Sequence, residues 1–208
     1  MSTLKVLGRI TSINVRKVLW TADEIGLGYE REDWGLPLRD PNVPAFLALN
    51  PNAQVPVIID GDVVLWESNA IICYLARRHA SPLLPADPGA QGRIEQWLYW
   101  QSGELNPAWS YAVQKLIRNN PAFSDAARLE DSIGKWTGKM RILEAQLART
   151  GAHVAGEHFS LADIALGLSV HRWFSAPFDK PDLPAVAAYY DRLRARPAAG
   201  PWMGPQTP

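Results

Sequence analysis

The 208-residue chain balances 21 lysine and arginine side chains against 21 aspartates and glutamates, with 47% apolar and 20% charged residues. That length and apolar content suffice to bury a sizeable core in one or two domains, and a net charge near zero gives no electrostatic reason to expect nucleic acid or an anionic membrane as partner. A single cysteine, Cys73, excludes an intrachain disulfide framework and a redox CxxC pair, and makes the cytoplasm the expected compartment.

Lys5, Arg9, Arg16 and Lys17 interrupt the apolar residues of the first segment, so neither a signal peptide nor a membrane span is expected there. Leu4–Leu7 reads as a short buried strand stopped by Gly8. From Val15 the apolar positions 15, 18, 19, 22 and 25 fall on one face of a helix, with Gly26 as its C-terminal stop. Tyr29–Trp34 reads as a second strand, and Pro44–Leu49 as a short helix closed by Asn50-Pro51. Two β-branched runs flank Asp60-Gly61-Asp62, a hairpin signal. Ser68 is placed to cap a helix that runs to about His79, with Cys73 in it as a small buried hydrophobe. The order β-α-β-α-β-β-α implies parallel pairing of the first two strands and an antiparallel hairpin later.

Residues 81–88 carry Pro82, Pro85 and Pro88 without periodicity and read as a linker between a domain at 1–80 and one at 89–208. Everything beyond reads as helix. Gln91–Arg118 is one long segment with Trp97, Trp100 and Trp109, kinked at Pro107. In Ser124–Arg149, Leu129, Ile133, Trp136, Met140, Leu143 and Leu147 form a packing stripe. Ser160 and Asp163 have the spacing of a capping box. Pro184 starts a last amphipathic helix through Val186, Tyr190 and Leu193, and residues 201–208 read as a loose tail. His79, His153, His158 and His171 show no metal-ligand spacing, so no metal is expected.

Three short segments carry chemistry in combination: Ser12-Ile13-Asn14-Val15-Arg16 ahead of the first helix, Asn50-Pro51-Asn52-Ala53-Gln54-Val55-Pro56 ahead of the hairpin, and Glu67-Ser68-Asn69-Ala70-Ile71 at the start of the third helix. In this order and with this layout, the sequence resembles the cytosolic glutathione transferase family over nearly its whole length. The resemblance implies an α/β plus all-α fold class: a thioredoxin-like N-terminal domain with a mixed four-stranded sheet, then an all-helical C-terminal domain. It implies glutathione as cosubstrate, a small apolar electrophile as the second substrate, detoxifying conjugation as the activity, no metal, and a homodimer.

Ser12 stands where the theta-like and nu-like groups of that family carry a catalytic serine or threonine, and Asn14 matches an asparagine that nu-like members turn to the same sulfur. From the residues alone, Ser12 or Asn14 reads equally well as a helix cap, and Thr11 is a neighbouring hydroxyl. The first tyrosine is Tyr29, which disfavours tyrosine-type members, and no cysteine stands in this loop. The resemblance further implies that Val55-Pro56 is a cis-proline turn pairing with the peptide part of glutathione. Gln54 would lie at the glycyl end, with Arg39 a second candidate there. Glu67 and Ser68 would hold the γ-glutamyl ammonium and carboxylate at a helix N-terminus. Ile10 and Trp109 are candidates for the electrophile pocket, whereas Trp97, Trp100 and Trp136 read as core.

Magnitudes favour so simple a site. A thiol of pKa about 8.5 is roughly 3% ionised at pH 7, and lowering that pKa by about two units takes about 2.7 kcal/mol. One hydrogen bond to a charged acceptor supplies roughly 1.5–3 kcal/mol and a helix N-terminus about 0.3–1 more. A glutathione-dependent disulfide reductase or peroxidase of the same fold, and a non-catalytic glutathione carrier, are the alternative readings.

Overall fold

The computed structural model describes residues 3–204. They fall into two compact units, residues 3–85 with 198–204, and residues 86–197.

The first unit is built on a sheet of β1 (Leu4–Leu7), β2 (Tyr29–Glu32), β3 (Val57–Asp60) and β4 (Val63–Trp66), in the order β2-β1-β3-β4. Helix α1 (Ile13–Glu24) carries the chain back between β1 and β2, which therefore pair in parallel, Leu4 opposite Tyr29 and Leu7 opposite Glu32. β3 pairs antiparallel with both β1 and β4. The β3–β4 turn is Gly61-Asp62, and Gly61 takes φ 62°, a conformation open to a residue without Cβ at no steric cost. This is the mixed, thioredoxin-like sheet that the resemblance implies.

Side chains alternate across the sheet. Leu7 and Val57 face α2 (Pro44–Leu47) and cluster with Trp34 and Phe46, whose rings lie 4.8 Å apart. Leu4, Val6 and Ile58 are buried on the other face, where α1 packs on β1 and on α3 (Ser68–Arg78). α1 is buried nearly all round, so that Arg16 and Lys17, 2% and 1% exposed, are enclosed with its apolar stripe. Ser68, read from sequence as the cap of α3, is instead its first helical residue. The cap position belongs to Glu67, with φ 70° and ψ 107°.

The second unit is helical. The long segment expected at 91–118 is two helices, α4 (Pro88–Trp100) and α5 (Asn106–Leu116), joined by a π-helical turn at Gln101–Leu105. Pro107 has no N–H to continue the α ladder, and the turn before it widens instead. α6 (Ala126–Thr150) is capped by the Asp125 side chain, which accepts from Arg128 N–H at 3.1 Å, and stops at Gly151 with φ 75°. It buries Trp136, Met140, Leu143 and Leu147 from the predicted stripe. α7 (Leu161–Ser175) is buried from Leu161 through Trp173, and α8 (Pro184–Arg194) packs inward through Val186, Tyr189 and Leu193. Tyr189 thus takes the core position expected for Tyr190, whose hydroxyl lies 2.8 Å from His171 Nδ1.

Trp136 is fully buried, edge-on to Trp109 and Trp173 at 5.4 and 5.1 Å. Trp97 is buried too, and half-buried Trp100 rests edge-on against it. Trp109, expected to face an apolar pocket, is 3% exposed between Trp136 and the Arg172 guanidinium. It is a core side chain, as aromatics at helical spacing commonly are. The Ser160–Asp163 capping box forms as read, Asp163 accepting from the Ser160 N–H and hydroxyl at 2.8 Å each. Among the described residues no helix is long and apolar enough to cross a membrane.

The tail differs from its reading. Residues 198–204 return to the first unit, with Trp202 and Met203 buried. An indole and a thioether are too apolar to be left in water when a surface can cover them. Residues 205–208 of the predicted loose tail lie outside the described residues.

Candidate functional site

The turn that leads into α1 is set by its neighbours. At Gly8 a Cβ would collide with the Val15 side chain, so the absence of one lets the end of β1 pass close under α1. Gly8 and Arg9 donate their N–H groups to the Glu32 and Trp34 carbonyls, both at 2.8 Å. Ser12 then takes the N-cap position of α1, with its carbonyl accepting from Arg16 N–H at 3.0 Å. Its side chain makes no capping bond. Ser12 is thus the N-cap residue of α1 by position and not by side-chain bond, and its hydroxyl stands beside first-turn N–H groups that it leaves unused. Thr11 is exposed and accepts from Arg9 Nη1 at 2.9 Å.

Asn14, two residues on in the first turn of α1, is half-buried, and its Oδ1 is enclosed without a hydrogen-bond partner. An unsatisfied amide oxygen of this kind costs about 1–3 kcal/mol. Asn14 lines a cleft of about 120 Å³, which gathers Asn50, Asn52, Gln54, Val55 and Pro56 from the turn before β3 and Glu67 and Ser68 from the start of α3. The cleft is smaller than a closed ligand cavity and is suited to holding one face of an extended molecule.

Each wall has a local cause. The Asn50 side chain, 2% exposed, donates to the Gln54 carbonyl at 2.8 Å and accepts from Asn52 N–H at 3.0 Å, which folds the turn. The Val55-Pro56 bond is cis, as the resemblance implies. Among the described residues, the Val55 N–H and C=O make no main-chain hydrogen bond, so both can pair with an extended peptide. Glu67, exposed and at positive φ, holds a backbone conformation that costs roughly 1–3 kcal/mol and that concentrates at ligand sites. Ser68 is buried at the first turn of α3, where free N–H groups favour an anion.

Lys17, 1% exposed, supports the cleft from behind its lining and is not singled out by the sequence. Its Nζ lies 3.1 Å from Asn69 Oδ1 and 3.4 Å from the Ser68 hydroxyl, beneath the start of α3. A lysine one step off an apolar stripe ordinarily reads as solvated, and only the packing of α3 on α1 encloses it. Asn50 and Asn52 were within a quoted segment, but nothing in their spacing announced which would support the turn.

Of the predicted set, the structure thus brings together Asn14, Gln54, Val55, Pro56, Glu67 and Ser68. Ser12 lies immediately ahead of them on the α1 turn, outside the cleft lining. Ile10 stands in the same turn, 37% exposed, and Trp109 belongs to the helical core. Arg39 is exposed, stacked 3.6 Å over the Trp34 ring and 3.5 Å from Glu32. No cluster of three or more potential metal ligands occurs among the described residues.

A free hydroxyl and amide at a helix N-terminus, an unpaired strand-like backbone, and an anion site beside a carboxylate together fit a short, zwitterionic peptide. Comparison with known proteins agrees. Residues 2–77 match the model of the glutathione S-transferase N-terminal domain, and residues 126–192 that of the C-terminal domain. The chain is 33% identical over 194 residues to glutathione S-transferase GstB of Escherichia coli, spanning 92% of this chain and 93% of that one. It is 35% identical over 210 residues to glutathione S-transferase 3 of Zea mays, spanning 95% and 92%. Its structure is similar to that of a theta class glutathione S-transferase from Xanthomonas axonopodis pv. citri with glutathione bound, with a TM-score of 0.89, 36% identity and 95% of each chain covered. With that extent of identity across both domains, the chain belongs to the glutathione S-transferase family.

Proposed function

We propose that this chain is a glutathione transferase of the serine/asparagine type, in which Ser12, assisted by Asn14, steadies the thiolate of bound glutathione for attack on a small apolar electrophile. Glutathione is the cosubstrate. The observation that carries the reading is the Ser12 hydroxyl at the N-cap of α1, which makes no capping bond and is left to donate, with the Asn14 amide, whose Nδ2 is also a donor, two residues on. Val55 pairs with the cysteinyl part of the tripeptide, Gln54 meets its glycyl end, and Ser68 and Glu67 take the γ-glutamyl carboxylate and ammonium. Ile10 offers apolar surface beside the sulfur. The protein supplies charge stabilisation and proximity, and the cosubstrate supplies the nucleophile. The protein acts as a cytoplasmic homodimer.

Calorimetry with reduced glutathione, paired with a rate assay on an aryl halide and on a model disulfide, tests this reading. Saturable binding with faster turnover of the aryl halide supports it. Faster turnover of the disulfide makes the chain a reductase, and binding without turnover makes it a carrier.

Lys17→Met is expected to raise the KM for glutathione roughly tenfold, equivalent to about 1.4 kcal/mol, while kcat at saturation changes little. The lost ammonium orients the Ser68 and Asn69 side chains at the start of α3 and so supports ground-state and transition-state binding alike, which initial rates over a glutathione series measure.

A further inference from the structure

The returning tail is joined to the thiolate site through one buried side chain. Trp202, 5% exposed, donates its indole N–H to the Asp23 carboxylate at 2.8 Å, near the end of α1. The Tyr29 hydroxyl bonds the same carboxylate, and burial, with the Asp23 charge, pushes that phenol up to about 12, so it remains a donor. The Trp202 carbonyl accepts from Arg16 Nη1 at 2.9 Å, and Nε of the same guanidinium donates to the Ile10 carbonyl at 2.8 Å. Burial also lowers the pKa of Arg16, the mark of a cation with little water around it. A guanidinium held this deep is tolerable only where its donors are satisfied, so turn and tail are fixed by a common partner.

Ile10 lies in the middle of a tight turn closed by the Ser12 N–H on the Arg9 carbonyl at 3.1 Å. No main-chain N–H among the described residues bonds the Ile10 carbonyl, and Arg16 holds it instead. The other charged groups facing the turn are Arg9, which donates to Thr11, and Arg31 of β2, which donates to the Gly8 carbonyl at 2.9 Å and pairs with Asp33.

We propose that residues 198–204 brace the thiolate site: Trp202, acting through Arg16, fixes the Ile10 peptide and so the direction of the Ser12 hydroxyl. The brace rests on the assignment of Ser12 above. Arg16 and Trp202 are positioning residues, and their loss misdirects a donor without touching the sulfur. Misplacement by a fraction of an ångström is enough to weaken a charge-stabilising hydrogen bond.

The test is the pH dependence of kcat/KM for an aryl halide in Arg16→Gln, Trp202→Ala and the double variant. The midpoint is expected to rise by about 0.5–1 pH unit in each single variant, with a three- to tenfold loss at low pH that closes at high pH. The double variant should shift no further than the larger single one, since both break one linkage. A tail that merely covers surface would lower the whole profile and leave its midpoint in place, which overturns the brace. Should either variant fail to fold, Trp202→Phe keeps an aromatic ring in place and removes the indole N–H that anchors the tail to Asp23, and its midpoint decides in the same way. A wild-type midpoint no lower than that of free glutathione removes the Ser12 assignment, and the brace with it, whereas a lowered wild-type midpoint unmoved in the variants removes the brace alone.

Discussion

Ser12→Ala is expected to lower kcat/KM for conjugation by roughly 10–100-fold, equivalent to about 1.4–2.7 kcal/mol of transition-state stabilisation. That range is what one hydrogen bond to a charged sulfur supplies. The substitution should spare the fold, because the Ser12 side chain caps no N–H of α1 and its loss exposes no new unsatisfied donor. Thermal unfolding within a few degrees of wild type, alongside the rate loss, separates a chemical effect from a structural one. Asn14→Ala provides the comparison. Its amide lies in the cleft and its oxygen is already without a partner, so truncation should stabilise the empty protein slightly while weakening catalysis. Thr11→Val serves as a control, since that hydroxyl is exposed and already accepts from Arg9. A larger loss in Thr11→Val than in Ser12→Ala would transfer the donor role to Thr11.

Asp163→Ala should be the most damaging substitution for stability, by about 3–5 kcal/mol. Its carboxylate is fully buried and accepts from Ser160 N–H, the Ser160 hydroxyl, Val154 N–H and the Tyr189 hydroxyl, all between 2.8 and 2.9 Å. Those bonds tie the loop before α7 to the first turn of α7 and to α8. Alanine would strand four buried donors at once. For a chain of this size that corresponds to a fall in Tm of roughly 6–20 °C, measurable by calorimetry or circular dichroism. Asp163→Asn keeps one acceptor but turns an N–H₂ toward donors, and should recover only part of the loss. A shift below about 2 °C for Asp163→Ala would show that the network contributes little beyond packing.

The sheet and most helices were legible because their signals are local. β-branched runs around a Gly-containing turn specify the β3–β4 hairpin, and the 4-3-4-3-4 stripe specifies α6. The departures have tertiary causes. Tyr189 and Tyr190 differ by one step of helical phase, and only the facing helices decide which enters the core. Trp109 and Trp202 exchanged expectations: one aromatic read as a pocket wall is core, and one read as part of a loose tail is anchored. Glu67 at φ 70° has no marker in its residue type, since glutamate rarely adopts that conformation.

The site divides in the same way. The three quoted segments contain most of the cleft because its binding groups are main-chain turns and helix starts, which leave composition signatures. Arg16 and Lys17 left none. Side by side near the start of α1, they read as solvent-facing charges until the fold encloses them against the tail and α3. Buried cations of this kind are recognised by their partners, and partners distant in sequence are invisible to local pattern.

Ultraviolet titration of the thiolate of glutathione bound to wild type and to Ser12→Ala bears most directly on the mechanism. The bound thiol should ionise about two pH units below its free value of about 8.5 in wild type, and return most of the way in the variant. Equal midpoints in the two proteins, whether lowered or not, would contradict the role given to the Ser12 hydroxyl.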